Sequence, residues 1–426
     1  MSSAQTPPVI EGHGRDAKGE GGRCAGLAGA FDLRALPDAF YADPYPYYHA
    51  LRNAAPIHRM PDGSLFLTCH RHLEAIYKDT SRFSSDKKIE FLPKFGQTPL
   101  YEHHTTSLVF NDPPLHTRVR RLIAGALNPR VIAAMEPGLV ALVDLLLDAA
   151  AEAGTVDLIE EFAAAIPVEI IGNLLDVPHA DRGPLRDWSL AILGALEPTL
   201  SAEAMARGNA AVTDFLAYLR DLVAARRARP GDPDKDVLTR LILGEENGEK
   251  LGEMELLHNC IFILNAGHET TTNLIGNGLE LLLRFPGERQ KLIADPTLIR
   301  TAVEEILRFE SSNQLGNRRV SVDTELDGIA LPAGTQITLC IGAANRDPAE
   351  FADPDRFDIA RTPNRHLAFA TGGHACAGLA LARLEGRIAI GRLLARFPTY
   401  AAAGPPVRAR RARFRGFSAL PARMGG

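Results

Sequence analysis

The chain has 426 residues, 46% of them hydrophobic, and its formal net charge is −5. Such a chain can bury a substantial core, its interspersed charges give no reason to expect nucleic acid as a partner, and its five scattered cysteines indicate neither a disulfide framework nor a zinc site. The cysteines fit a reducing, cytoplasmic setting best, and because no apolar run reaches the roughly 20 residues that cross a bilayer, we expect a soluble protein without a membrane anchor.

The first part of the chain changes from polar to patterned near residue 31. Residues 1–30 are rich in glycine, serine, alanine and charge, which is typical of a flexible tail. Residues 44–52 then predict a short helix, and residues 57–60 and 65–67 predict two strands that flank a turn. We expect a single folded domain over residues 31–426.

Helical periodicity dominates the middle of the chain. It predicts helices near residues 115–126, 130–152, 158–175, 183–196, 202–228, 234–244, 252–284 and 296–309. Residues 318–341 alternate well enough for short strands, and a further helix runs from residue 379 to about 397. This order predicts a mainly α fold with a minor β part.

One cysteine stands in a glycine-rich loop immediately before that last helix. Residues 369–378 read Phe-Ala-Thr-Gly-Gly-His-Ala-Cys-Ala-Gly. The position of Cys376 at a helix N-terminus favours the thiolate, which is a nucleophile or a metal ligand, and the glycines let a flat group approach closely. A buried cysteine at an ordinary helix start explains the local pattern equally well.

The longest predicted helix breaks its own propensity rules at residues 265–272, Asn-Ala-Gly-His-Glu-Thr-Thr-Thr. The glycine and three threonines cost about 2 kcal/mol relative to alanine, which indicates a functional site. The Thr270 hydroxyl can bond the carbonyl of Ala266, and Glu269 beside it would complete an acid and alcohol pair for proton delivery. A packing kink with an exposed Glu269 is an equal alternative.

Three further features of the sequence, taken one at a time, are weaker indications of a functional site. Glu305 and Arg308 can form an ion pair on one helix face, although most such pairs are surface decoration. His116 and Arg120 stand one turn apart and would suit an anion, although such a pair is more often polar surface. For the arginine-rich residues 408–415 we predict a solvated strand and loop rather than a docking patch.

Together, and in this order, these features resemble the cytochrome P450 family, in particular its soluble bacterial branch. Phe369, Gly372, Cys376 and Gly378 match the family's haem-loop pattern F-x-x-G-x-x-x-C-x-G. Residues 266–271 match its oxygen-activation motif, residues 305–308 its E-x-x-R motif, and residues 116–120 its H-T-R-x-R segment. The resemblance implies the family's fold, a triangular helical prism with small sheets.

The resemblance also implies a haem b group and its partners. Cys376 would be the iron ligand, in the loop that holds Phe369, and the N–H of Gly378 would tune its sulfur. The residues that match the family's haem-propionate partners are His116, Arg120, His374 and Arg318, the last in preference to Arg319.

Other positions take their expected roles from the same match. Ala266 and Gly267 should lie over the distal face of the haem and leave room for O2, while Glu269 and Thr270 relay protons. A buried structural network behind the haem would contain Glu305, Arg308 and Arg356. Ala370 departs from the pattern, because many members carry glycine there.

The family's pocket regions are mostly apolar in this chain, with a few amides. The expected pocket residues are Phe91, Leu92, Phe110, Leu190, Asn265 and Gln314. Asn265 stands where an aliphatic residue is usual, so its amide would bond a polar substrate group or else face a neighbouring helix. We expect a mostly hydrophobic small-molecule substrate, such as an aromatic compound or a terpenoid.

The resemblance therefore implies a haem-thiolate monooxygenase that inserts one atom of O2 by hydroxylation or O-demethylation. Electrons would come from NAD(P)H through a ferredoxin or flavodoxin type donor and its reductase, since no flavin or iron–sulfur motif is fused to the chain, and we expect a monomer. A peroxide-driven hydroxylase is expected to lack the acid and alcohol pair. A haem-thiolate gas or ligand sensor without turnover normally needs an output domain, and the sequence has no recognisable one.

Overall fold

The structure, a computed structural model, describes residue 26 and residues 28–233, 236–246 and 249–425. Most of the tail expected over residues 1–30 lies outside the described residues. The helices are α1 Asp38–Ala42, α2 Tyr45–Ala54, α3 His70–Lys78, α4 Lys88–Phe95, α5 Pro99–Thr106, α6 Leu115–Ala126, α7 Pro129–Ala153, α8 Ala165–Leu174, α9 Leu185–Gly194, α10 Ala202–Ala228, α11 Val237–Leu243, α12 Glu253–Arg284, α13 Pro286–Ala294, α14 Ile299–Phe309, α15 Ile341–Ala344 and α16 Leu379–Arg396.

The strands are short and form small sheets. They are β1 Ile57–Arg59, β2 Leu65–Leu67, β3 Phe83–Ser84, β4 Thr155–Asp157, β5 Glu245–Glu246, β6 Glu249–Lys250, β7 Leu315–Val320, β8 Thr324–Leu326, β9 Ile329–Leu331, β10 Gln336–Cys340, β11 Ala401–Ala402, β12 Val407–Arg408, β13 Phe417–Ala419 and β14 Pro421–Arg423. The largest sheet has the order β1-β2-β10-β7-β3 and is antiparallel except where β10 pairs with β2. The prediction of a mainly α fold with a minor β part is confirmed.

The long helices begin and end where the sequence signals them. Asn128 caps α7 through its side chain, and Gly154 ends it with a φ of +68°. The helix predicted over residues 158–175 differs, because a π-helical segment, Leu158–Ala163, precedes α8. Within the described ranges, no helix combines the length and the apolar character that a bilayer crossing requires.

Helix α12 runs through the main hydrophobic core, and its residues are buried on most of its circumference. It packs against α8, α9 and α16, the helix that follows Cys376. A helix that is buried all round is normally apolar throughout. The polar residues 265–272 therefore lie in a region of low polarity, where charge and hydrogen bonding have large effects.

Candidate functional site

The backbone of the Cys376 loop is closed by its own hydrogen bonds just before α16. The N–H of Cys376 donates to the carbonyl of Phe369 at 2.9 Å, and that of Ala375 donates to the carbonyl of Gly372 at 3.1 Å. Gly372 has a φ of +72°, and a Cβ on it would lie 2.4 Å from the carbonyl oxygen of Tyr77. This position therefore requires glycine.

The prediction that the helix N-terminus favours a free thiolate is wrong. Burial raises the pKa of the Cys376 thiol, and the N–H of Gly378 and the charges of Arg120 and Arg383 offset only part of that effect. The partial charges of a helix terminus do not replace the water that the sulfur has lost. A metal ion bound to the sulfur would remove the thiol proton, so the position still suits a ligand.

Helix α12 presents one accessible face inside the protein. Phe262, Ala266 and Thr270, which are four residues apart, are partly accessible, whereas most of their neighbours are buried. The hydroxyl of Thr270 donates to the carbonyl of Ala266 at 2.7 Å, as the sequence predicts. Space is therefore left beside the threonine that the motif singles out.

Gly267, next to Ala266, is also partly accessible. A Cβ on this residue would lie 2.3 Å from the Cδ1 atom of Ile171, so the missing side chain makes room for helix α8. The close approach of α8 explains why this position carries glycine. That Ala266 and Gly267 lie over the distal face of the haem stays a prediction.

Four cationic or imidazole side chains from three segments gather near the Cys376 loop, and we call them the anion site: His116, Arg120, Arg318 and His374. The imidazole rings of His116 and His374 lie 3.8 Å apart between centroids. Arg318 is buried, and its Nη1 donates to the carbonyl of Asn317 at 2.8 Å. In the described part of the chain, Nε of Arg318 and Nε2 of both histidines have no hydrogen-bond partner.

The electrostatics of the anion site favour a negatively charged group. Burial, followed by the charge of Arg318, lowers the pKa of His374 to about 2. Burial and the charge of Arg120 lower the pKa of His116 in the same direction. Asp112 opposes this positive charge only in part. Buried nitrogens without partners beside excess positive charge are what two haem propionates would satisfy, so the residues present fit the haem that the resemblance implies.

Glu305 and Arg308 are fully buried and form a two-point ion pair, with N–O distances of 2.7 and 2.8 Å. Arg308 also donates to the carbonyls of Asn345 and Pro354, each at 2.8 Å. A buried pair needs such additional hydrogen bonds to offset the loss of water. The alternative of a surface pair is therefore excluded.

The expectation that Arg356 belongs to this buried network is wrong. The side chain of Arg356 is 62% exposed, and only its carbonyl accepts a hydrogen bond from Arg308. Glu305 instead receives hydrogen bonds from Arg361 at 3.3 Å and from Asn364 at 3.1 Å. Sequence reasoning missed these two residues because they lie in a loop without periodicity.

Glu269 is buried, and its Oε1 accepts a hydrogen bond from Nη1 of Arg411. Arg411 also donates to the carbonyl of Leu190 at 3.3 Å. Burial raises the pKa of Glu269 to about 7, although the charge of Arg411 opposes the shift. The alternative of an exposed glutamate is excluded, and an acid that is half protonated near neutral pH can exchange protons readily.

The arginine-rich residues 408–415 are not the solvated segment that the sequence predicts. Arg411 binds Glu269, Arg413 donates to main-chain carbonyls and Arg415 binds the buried Glu310. The chain bends at residues 410, 412 and 413, and Ala412 and Phe414 between the arginines are buried as well, so a strand alternation does not explain this burial. Sequence reasoning missed these contacts because the partners lie far away in the chain.

The residues expected to line the substrate pocket have different environments in the structure. Phe91 and Phe110 pack edge to face, with ring centroids 5.2 Å apart. Leu92 is 44% exposed, so its place in a buried pocket wall is wrong. The Gln314 side chain donates to the carbonyl of Ser311 at 2.7 Å and lies against Gly342. Asn265 is buried on α12.

Comparisons with known proteins agree with these features. The family model for cytochrome P450 matches residues 195–406. The chain is 38% identical to cytochrome P450 monooxygenase PikC of Streptomyces venezuelae over 403 residues, 92% of this chain and 94% of that protein. It is 37% identical over 370 residues to the biotin biosynthesis cytochrome P450 of Bacillus subtilis (strain 168), 84% of this chain and 90% of that protein.

A solved structure has the same fold. The crystal structure of P450BioI in complex with hexadec-9Z-enoic acid ligated acyl carrier protein superposes with a TM-score of 0.86 at 35% identity. The superposition covers 91% of this chain and 100% of that one.

Proposed function

We propose a function from the premise that the chain belongs to the cytochrome P450 family and is a monooxygenase. Relatives whose names state an activity include a monooxygenase and a vitamin D(3) 25-hydroxylase, each 38% identical to this chain. Within that class, the chain inserts one atom of O2 into a mostly hydrophobic small organic substrate, by hydroxylation or O-demethylation. Its electrons come from NAD(P)H through a ferredoxin or flavodoxin type donor and its reductase.

Haem, the cofactor of the family, supplies the iron chemistry that activates O2. Cys376 would ligate the iron, and the N–H of Gly378 hydrogen-bonds its sulfur. The anion site would bind the propionates, which would give its buried donors their missing partners. The accessible face of α12, with Ala266, would lie toward the substrate and O2.

The proton relay of this proposal consists of Glu269 and Thr270. Oε1 of Glu269 is held by Arg411, so the exchangeable proton sits on Oε2. The Thr270 hydroxyl is positioned on the accessible face by the carbonyl of Ala266. The observation that carries the proposal is this pair, a buried carboxyl group whose pKa is near 7 next to an accessible alcohol.

Thr270→Ala tests the relay. The variant lacks the alcohol that positions the proton, so we expect electrons from NAD(P)H to be diverted from product to hydrogen peroxide, with product per electron pair falling about tenfold or more. The measurement compares NAD(P)H consumed, peroxide formed and product formed in the haem-loaded enzyme.

Thr213→Ala is the matched control, because the Thr213 hydroxyl also bonds a carbonyl four residues back, at 3.0 Å, on an exposed part of α10. It should leave coupling unchanged. Equal coupling in Thr270→Ala and the wild type would contradict the relay. Product from added peroxide but not from NAD(P)H would indicate a peroxide-driven enzyme, and no turnover with any donor or substrate would indicate a sensor.

The substrate is best sought by its effect on the haem spectrum. Apolar pocket residues such as Phe91 and Phe110 favour a hydrophobic compound, and the solved relatives include complexes with fatty acyl and steroid molecules. A panel of fatty acids, steroids, terpenoids and aromatic compounds should contain one that shifts the spectrum at micromolar concentration.

One folded domain over residues 31–426, a monomeric state and a cytoplasmic location stay predictions.

A further inference from the structure

A charged cavity of about 240 Å³ lies at the C-terminal end of α12, where it meets the start of α2 and the strands β12 and β13. Four arginine and two glutamate side chains line it, and we call it the arginine cavity: Arg284, Arg346, Arg408, Arg415, Glu280 and Glu310. Glu280 is ten residues beyond Thr270, which is about 15 Å along the helix axis. The cavity is therefore separate from the site described above.

Positive charge exceeds negative charge in this cavity. In the part of the chain that the structure describes, its wall contains one further charged side chain, the exposed Asp43. Arg346 also pairs at 3.2 Å with Asp355, which is 55% exposed and lies outside the wall. Four cations thus face three carboxylates, so the cavity attracts an anion rather than a cation.

The four arginines differ in the hydrogen bonds that they already make. The guanidinium groups of Arg415 and Arg346 each use all three nitrogens as donors to protein oxygens. Arg408 makes only long contacts, at 3.2 Å with Oδ1 of Asn277 and at 3.4 Å with Oε2 of Glu310. Arg408 therefore has donor capacity left for a ligand.

Arg284 at the mouth of the cavity is held even more loosely. Its side chain is 43% exposed, and its Nη2 lies 3.4 Å from Oε2 of Glu280 and 3.9 Å from Oε2 of Glu310. Its guanidinium group makes no hydrogen bond to these or other described residues in the structure. Arg284 is therefore a second cationic donor that a ligand could engage.

Glu280 supplies an unused acceptor. Its Oε2 is buried, and none of the described residues donates a hydrogen bond to it. Burial raises the pKa of Glu280, and the charges of Arg284 and Arg408 offset that effect only in part. A ligand that suits this cavity accepts hydrogen bonds from two arginines and donates one to a carboxylate.

We propose that the arginine cavity binds inorganic phosphate, with Arg284 and Arg408 donating to its oxygens and its hydroxyl group donating to Oε2 of Glu280. Because Arg284 is partly exposed, its guanidinium can turn from Glu280 toward the phosphate and uncover this oxygen. An oxyanion without a proton would instead place negative charge against the carboxylate. Glu280 thus selects phosphate over sulfate.

Titration calorimetry of the haem-loaded protein at about pH 8 tests the site. Inorganic phosphate keeps a proton at this pH, sulfate has none, and methyl phosphate has lost its second proton, whose pKa is about 6. Phosphate should bind, and the two other anions should bind about tenfold more weakly or not at all. Absence of phosphate binding would overturn the proposal, and so would equal binding of all three anions.

Arg284→Leu tests the cationic side of the site. Loss of a hydrogen bond from a charged donor should weaken phosphate binding about tenfold or more. Arg408→Leu should weaken it by a similar factor. An unchanged phosphate affinity in Arg284→Leu would overturn the proposal, and because this side chain is partly exposed, the variant should fold as the wild type does.

Arg396→Leu is the matched control. Arg284 and Arg396 each end a helix, and each guanidinium lies over the ring of the following phenylalanine, at 5.2 and 5.6 Å. Arg396 pairs with the exposed Asp148, outside the cavity, so phosphate affinity should not change. Equal weakening in the two variants would overturn the proposal, because it would reflect only the loss of one positive charge.

Glu280→Gln tests the selectivity. The glutamine amide group donates to any oxyanion, so sulfate and methyl phosphate should bind within about threefold of inorganic phosphate. An unchanged preference for phosphate would contradict the role given to Glu280. The cavity contains no residue of the relay or of the anion site, so a failure of these tests would leave the proposed function standing.

Discussion

Glu269 and Glu385 are both buried carboxyl groups, and burial raises the pKa of each. For Glu269 the charge of Arg411 limits the rise to about 7. Glu385 on α16 has only a hydrogen bond with the Thr271 side chain to oppose burial, and its pKa is raised to about 8. A sequence shows the carboxyl groups but not the loss of water that sets their pKa values.

Glu385→Gln should change how stability depends on pH. A folded-state pKa of about 8, above the unfolded value of 4.5, means that the folded protein binds the proton more tightly. The free energy of unfolding should therefore fall as pH rises from about 4.5 to 8, by at most about 1.4 kcal/mol for each pH unit. Glutamine keeps the shape and loses the charge, so denaturant unfolding of the variant should show a smaller fall across this range.

The control for this measurement is Glu350→Gln, which removes a carboxyl group from the surface. It should leave the pH dependence unchanged. An identical pH dependence in the wild type and in Glu385→Gln would mean that Glu385 is not protonated in the folded protein.

Backbone conformation at single residues was partly predictable. The sequence marks Ala370 as a departure from glycine in the haem-loop pattern, and the structure gives this residue a φ of +53°. Alanine in that region costs about 1 kcal/mol relative to glycine. Backbone hydrogen bonds of Cys376 and its neighbours stabilise the loop and offset this cost.

At the scale of elements, periodicity predicted the long helices well and the C-terminal arginine segment badly. Helix α12 was expected over residues 252–284 and spans Glu253–Arg284. Residues 408–415 have too little regular structure for a pattern to predict which side chains turn inward. Their partners, Glu269 and Glu310, are more than 90 residues away in the sequence.

Arg415→Met tests the structural importance of this segment. Arg415 and Glu310 are both buried, and Arg415 also donates to the carbonyls of Tyr41 and Ala42 at 3.0 Å each. Removal of the cation leaves Glu310 with the more distant Arg408, at 3.4 Å. Loss of a buried pair should lower the free energy of unfolding by about 3 kcal/mol, measured by denaturant titration of the haem-loaded protein.

Arg410→Met is the matched control from the same segment. The Arg410 side chain is exposed and pairs with the exposed Asp38, so its removal should leave stability unchanged. Equal losses in the two variants would mean that the buried position of Arg415 has no special effect.

At the scale of the whole molecule, the anion site joins segments that are far apart in the chain. His116 begins α6, Arg318 lies on β7, and His374 precedes α16. Only folding brings their side chains together. No local pattern indicates that their donors face the same volume, and the family resemblance was needed to predict it.

Arg318→Leu should weaken the binding of haem. The variant removes a buried cationic donor, and such a hydrogen bond to a charged group contributes about 1.5–3 kcal/mol. Haem should therefore transfer to an excess of apomyoglobin about tenfold faster or more. Absorption spectroscopy of the transfer measures this without any need for turnover.

Arg319→Leu is the control, because neighbouring residues of a strand point to opposite faces. It should release haem at the wild-type rate. Equal acceleration by both substitutions would contradict the assignment of Arg318 to the anion site.

The sequence by itself determined the class of fold, the positions of the long helices, the Cys376 loop and the acid and threonine pair. These are local properties, set by spacing and by residue type within a few turns of chain. Only the tertiary structure decided that Gly267 serves helix packing, that Arg356 lies outside the Glu305 network and that Arg411 holds Glu269. Burial, charge compensation and contact depend on residues from distant segments. The Cys376 thiol is an example, because burial raises its pKa by more than the helix N-terminus predicted from the sequence lowers it.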